Sequence, residues 1–140
     1  LADWKRFCKQ HQLYLHIDGA RLANAAVYLD CSLGEITNGA DSVSFGGTKN
    51  GLLGAEAVLL FSDKARENFK FLRKQGMQLP SKSRFLAAQY FAYLKDDLWR
   101  QIALHSHQQA KALALKLTEI PEIKIKYPVQ SNGLFLELPK

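Results

Sequence analysis

The stretch from Leu13 to Phe45 limits the fold more than any other part of the chain. A short apolar run, Leu13 to Asp18, closes on the turn pair Asp18-Gly19. An Ala- and Leu-rich stretch, Arg21 to Leu29, follows, and a second strand-like run occupies Ser42 to Phe45. Brief apolar runs bounded by turn signals read as buried strands, and the stretch between them reads as a helix. Strands that alternate with helices build an α/β fold with a mainly parallel sheet.

The remaining pattern extends this reading. Trp4 to His11 reads as the tail of a helix, and Ala55 to Phe61 as a third strand. Ser62 is an N-cap, with Asp63 in the first turn of a helix from Asp63 to Gln75 that Gly76 ends. A long helical stretch runs from Ser83 to Glu119, with Leu94, Leu98 and Ile102 on one face and Leu113 and Leu117 continuing the spacing. Such a length predicts a break, placed in the polar segment His105 to Gln109, and Pro121 stops the helix. Two short strands close the chain, Ile123 to Tyr127 and Gly133 to Leu138, joined through Ser131-Asn132-Gly133. They read as the start of a second, α+β domain, since two strands alone are only marginally stable.

Composition narrows the function classes. An apolar fraction of 47% over 140 residues suits a packed domain rather than a disordered one. No apolar run is long enough for a membrane-spanning helix. There is no signal-peptide pattern, and the chain starts at Leu1 rather than Met, so the expectation is a piece cut from a longer chain. The net charge of +6 permits an anionic partner without identifying one. Basic residues concentrate between Asp63 and Arg84, seven against two acids, which reads as a solvated helix face. Nucleic-acid binding would need a recognisable fold or base-stacking aromatics, and neither is present. Cys8 and Cys31 form no disulfide framework, which suits a reducing cytoplasm. His11, His16, His105 and His107 have no metal-ligand spacing.

Two residues could carry chemistry. Asp18 ends a buried strand, and in parallel α/β sheets ligands bind at that end. It also reads as a simple turn residue, with Arg21 as an ion-pair partner. Lys49 follows the strand Ser42 to Phe45 among Gly46, Gly47 and Gly51, which let backbone approach a ligand closely. The spacing is not that of a phosphate-binding P-loop, and a lysine in such a loop also reads as a solvated turn residue. Together the two are more specific. Pyridoxal phosphate needs a lysine for its Schiff base and an acid to keep its pyridinium nitrogen protonated.

His16-Ile17-Asp18-Gly19-Ala20-Arg21 resembles the H-x-D-G-A-R motif of threonine aldolases and their β-eliminating lyase relatives. Asp41 to Gly51 (DSVSFGGTKNG) resembles that family's cofactor-lysine segment. Arg73-Lys74-Gln75 and Ser81 to Gln89 (SKSRFLAAQ) resemble the stretch that follows it. The matches run in order over Leu13 to Leu98.

The resemblance implies a type I pyridoxal-phosphate fold. Residues 1–80 would be the C-terminal part of the large cofactor-binding domain. Residues 81–140 would hold the connecting helices and the start of the small C-terminal domain. It implies a homo-oligomer, usually a tetramer, with sites at a subunit interface. Lys49 would carry the cofactor covalently, Asp18 would pair with the pyridine nitrogen, and Arg21 would lie beside the ring and its phenolic oxygen. Lys74 would bind anionic groups of substrate or cofactor. The implied reaction is aldol cleavage of a β-hydroxy-α-amino acid to glycine and an aldehyde, with β-elimination as the related alternative. The family's phosphate loop, ring-stacking histidine and late carboxylate-binding arginine have no counterpart in the matched stretch. His16 is accordingly a supporting residue rather than the stacking one, and the piece alone is expected to be inactive. The reading from another class is a non-catalytic basic binding module, which the Lys and Arg excess supports weakly.

Overall fold

The computed structural model describes residues 2–139. Three strands form the central sheet in the order β1 (His16–Gly19), β2 (Ser42–Gly46) and β3 (Glu56–Leu60). β1 and β2 are parallel, with His16 opposite Ser42 and Asp18 opposite Ser44. Between them the chain forms α2 (Leu22–Tyr28) and α3 (Leu33–Thr37), following α1 (Ala2–Gln10) at the start. The α/β class holds, but β3 is antiparallel to β2, with Phe45 opposite Ala57 and Gly46 opposite Glu56. The cause is the short connection: only the glycine-rich loop separates the two strands. A parallel return needs a crossover of a dozen or more residues, usually a helix.

Strand alternation gives the sheet two unlike faces. One carries Ile17, Val43, Phe45 and Ala57, of which Val43 and Phe45 are buried. Leu22, Ala23 and Ala26 of α2, Ile36 of α3, Tyr93 of α6 (Arg84–Leu94), and Trp99 and Ala103 of α7 (Leu98–Leu117) complete this core. Ala23, Ala26 and Ala103 are fully buried, and their small side chains let α2 lie close against α7. The other face carries His16, Asp18, Ser42, Ser44, Glu56, Val58 and Leu60, all exposed or half-buried.

Several helix boundaries differ from expectation. α3 was not anticipated. Its start is a capping box, in which the Ser32 side chain accepts from the Glu35 N–H and the Glu35 carboxylate accepts from the Ser32 N–H at 2.8 Å. The helix expected over Asp63 to Gln75 is two, α4 (Asp63–Arg66) and α5 (Phe69–Gln75), parted at Asn68 with φ +58°. Asparagine tolerates that left-handed conformation better than most residues. Ser62 does cap α4, accepting from the Ala65 N–H, and Gly76 does terminate α5.

The long stretch breaks at Lys95–Asp97, where Asp96 and Asp97 have φ of 51° and 54°, not at His105 to Gln109. The latter segment stays helical because His107 and Ala110 turn inward and are buried. The closing strands shrink to β4 (Lys124–Ile125) and β5 (Leu136–Glu137), paired antiparallel in a sheet of their own. The basic side chains Lys64, Arg66, Lys70, Arg73 and Lys74 are all exposed on α4 and α5. No helix among the described residues is long and apolar enough to cross a membrane.

Candidate functional site

Asp18 lies at the carboxyl end of β1 with an exposed side chain. Its Oδ1 accepts from the Ala20 N–H at 3.1 Å, a local turn that leaves Oδ2 outside the bond. Gly19 is required here, because a Cβ would fall 2.5 Å from the Ser44 carbonyl oxygen and 3.1 Å from Leu22 Cβ. The chain can therefore turn from β1 into α2 while hugging β2. Arg21, exposed, leads into α2 with φ −129°. Among the described residues it forms no ion pair with Asp18.

The end of β2 meets this turn directly. A Cβ on Gly46 would stand 2.7 Å from Ala20 Cα. The Asp18–Arg21 turn and the start of the lysine loop are thus in backbone contact, at the same edge of two parallel strands. Lys49 sits in the middle of a single 3-10 turn, Thr48–Asn50, and is exposed.

The loop around Lys49 is tied down by residues that the sequence did not single out. Asn50, 3% exposed, donates from Nδ2 to the Tyr93 hydroxyl at 2.6 Å and to the Trp99 carbonyl at 3.0 Å. Thr48 donates its hydroxyl to Glu56 Oε1. Gln89 Oε1 accepts from the Leu53 and Gly54 N–H groups at 2.9 and 3.4 Å. The Tyr90 hydroxyl donates to the Phe45 carbonyl and, at 3.4 Å, to that of Ala55. Burial, with the Glu56 charge second, pushes the Tyr90 hydroxyl up to about 12, so it stays protonated and keeps donating at neutral pH. Burial also raises Tyr93. The one signal for this clamp was the pair Tyr90 and Tyr93, three apart on a helix; that α6 would meet the loop is a tertiary fact.

His16 lies on the Asp18 side of β1. Its ring nitrogens are within hydrogen-bond distance of Ser42 Oγ at 2.8 Å and Ser44 Oγ at 3.3 Å, which ties the ring to the neighbouring strand. Lys74 is exposed in the last turn of α5. Its neighbour Arg73 lines a cleft of about 660 Å³ between β3, α5 and α6, together with Glu56, Tyr90 and apolar side chains. The structure therefore sets the Asp18–Arg21 turn against the start of the loop that carries Lys49, with Lys74 on a separate helix.

An open carboxylate and an exposed primary amine suit an aldehyde cofactor with a basic ring nitrogen. The amine can condense with the aldehyde, and the carboxylate can retain the ring proton. No group of three metal-ligating side chains is present among the described residues.

Residues 1–139 match the family model described as beta-eliminating lyase. The chain is 44% identical over 133 residues to a low specificity L-threonine aldolase of Pseudomonas aeruginosa, covering 94% of this chain and 38% of that protein. It is 32% identical over 136 residues to low-specificity L-threonine aldolase 1 of Arabidopsis thaliana, covering 93% of this chain and 36% of the relative. The solved structure of a Leishmania major threonine aldolase superposes with a TM-score of 0.89 at 34% identity, over 96% of this chain and 40% of that one. The chain thus spans about two fifths of the length of the relatives it matches.

Proposed function

We propose, from the premise that this chain belongs to the beta-eliminating lyase family, that it is part of a pyridoxal-phosphate-dependent threonine aldolase. The reaction would be cleavage of a β-hydroxy-α-amino acid to glycine and an aldehyde. The observation that supports this reading is the close approach of Gly46 to Ala20, which sets the Asp18 turn against the start of the loop that carries Lys49, past the carboxyl ends of two paired parallel strands. When bound, the cofactor supplies an electron sink for charge released at the substrate Cα. Lys49 would hold it covalently, and the Asp18 carboxylate would keep a proton on its ring nitrogen. The Arg21 guanidinium would face its oxygen substituents, and Lys74 would attract anionic groups from α5.

A cytoplasmic homotetramer completes the reading. Cys8 and Cys31, both free thiols, support the reducing compartment, and sedimentation of the full-length enzyme tests the tetramer. β-Elimination would draw on the same sink; the names of the relatives favour aldol cleavage.

The test is chemical. Borohydride reduction of the full-length holoenzyme, followed by peptide mapping, should place the cofactor on Lys49, and Lys49→Ala should abolish the visible absorbance. Label on Lys74 or Lys82 instead would overturn the assignment.

A further inference from the structure

The turn that presents Lys49 cannot cap itself. The first N–H groups of a helical turn lack intrahelical acceptors, and a side chain at the N-cap normally supplies one. Here the N-cap is Gly47, which has no side chain to offer. Nor could another residue serve, since a Cβ at Gly47 would fall 2.2 Å from Leu52 Cδ1 and 2.9 Å from the Ala55 carbonyl oxygen.

The missing acceptor comes from the next strand. Glu56, the first residue of β3, lies opposite Gly46 in the register. Its Oε1 accepts the Thr48 hydroxyl and, at 3.4 Å, the Thr48 N–H. Its other oxygen packs over Gly46, where a Cβ would stand 2.9 Å from Oε2. Gly46 therefore leaves room for the Glu56 carboxylate, while Gly47 leaves room for Leu52 and the Ala55 carbonyl beneath the same turn. Among the described residues Glu56 makes no ion pair with Lys49.

We propose that Glu56 is a positioning residue for Lys49, acting through its bond to Thr48 to fix the turn from which the amine projects. The inference rests on Lys49 being the cofactor-bearing residue. Because Glu56 works as an acceptor, its amide counterpart should serve nearly as well, and its truncation should not.

The experiment uses the full-length enzyme stripped of cofactor and then mixed with pyridoxal phosphate. The rate of attachment is followed by visible absorbance, and the attached lysine is mapped after borohydride reduction. Glu56→Ala should slow attachment to Lys49 by about tenfold, the loss of the Thr48 hydroxyl's bond to the carboxylate together with the longer N–H bond. Glu56→Gln should recover most of that loss. Thr48→Val should reproduce it, Thr48→Ser should restore the rate, and Thr48→Val combined with Glu56→Ala should be no slower than either alone. The two Thr48 variants carry the test if Glu56→Ala fails to fold. Attachment at the wild-type rate in Thr48→Val or Glu56→Ala overturns the proposal. So does a Glu56→Gln enzyme as slow as the alanine variant, since charge rather than the bond would then be at work. Wild-type cofactor mapping to a lysine other than Lys49 would instead overturn the functional reading beneath it.

Discussion

Asp18 combines a structural bond with an open oxygen, and the two can be separated by one substitution. In Asp18→Asn the amide oxygen can still accept from the Ala20 N–H, so the turn and the fold should persist. A neutral amide cannot retain a proton on a ring nitrogen. Turnover of the full-length enzyme should therefore fall by about 100-fold, or about 3 kcal/mol of lost electrostatic stabilisation. Steady-state kinetics beside circular dichroism check this, and near-normal turnover would leave Asp18 a turn residue only. Asp18 and Lys49 could be singled out as candidates because their side-chain chemistry and their glycine neighbours are written locally. Asn50, Glu56 and Tyr93 were not. Asn50 bonds to partners 43 and 49 positions away, and nothing in a linear reading pairs those segments. Glu56 begins a strand whose antiparallel return followed only from the brevity of the loop.

Among the elements, α7 contains a titratable group that couples it to acidity. His107 is 6% exposed and its Nε2 has no hydrogen-bond partner among the described residues. Burial first, and Lys111 one turn along second, lower its pKa from 6.5. The unfolded chain therefore takes up the proton before the folded one as pH falls. The stabilisation from neutral His107 is fully present above about pH 6.5 and is lost as pH falls through the lower, folded value. Thermal melting of the full-length enzyme should show a midpoint that drops on acidification below pH 6.5, and His107→Leu should flatten that slope. A slope unchanged in the variant would assign the acid loss to other groups. The same residue explains why the helix break was misplaced: His105 to Gln109 is polar in composition, yet one of its side chains points into the core. The real corner at Asp96 and Asp97 has neither glycine nor proline, only a residue type that tolerates positive φ. The three strands and α2 within residues 13–62 were legible because their apolar runs are short and bounded by turn residues, whereas α3 depends on the capping box at Ser32 and Glu35.

At the scale of the whole molecule, apolar side chains remain uncovered. Phe91 is 76% exposed, Leu115 70% and Val58 48%, and β3 is an edge strand. Surfaces of this kind favour association. The 140-residue chain expressed alone should sediment as self-associated species and should yield no glycine or acetaldehyde from threonine with added pyridoxal phosphate. A well-behaved monomer with robust turnover would refute this. The parallel ladder between β1 and β2 has a mechanical consequence. Asp18 sits on β1, the turn that holds Lys49 starts just past the end of β2, and the two strands lie about 4.8 Å apart with Ala20 abutting Gly46. Hinge motions need a few residues that can absorb large dihedral changes, and hydrogen-bonded strands cannot supply them. The Asp18 turn and the base of the lysine loop therefore travel together, and any opening or closing around them must be made by parts of the protein that move against this pair of strands.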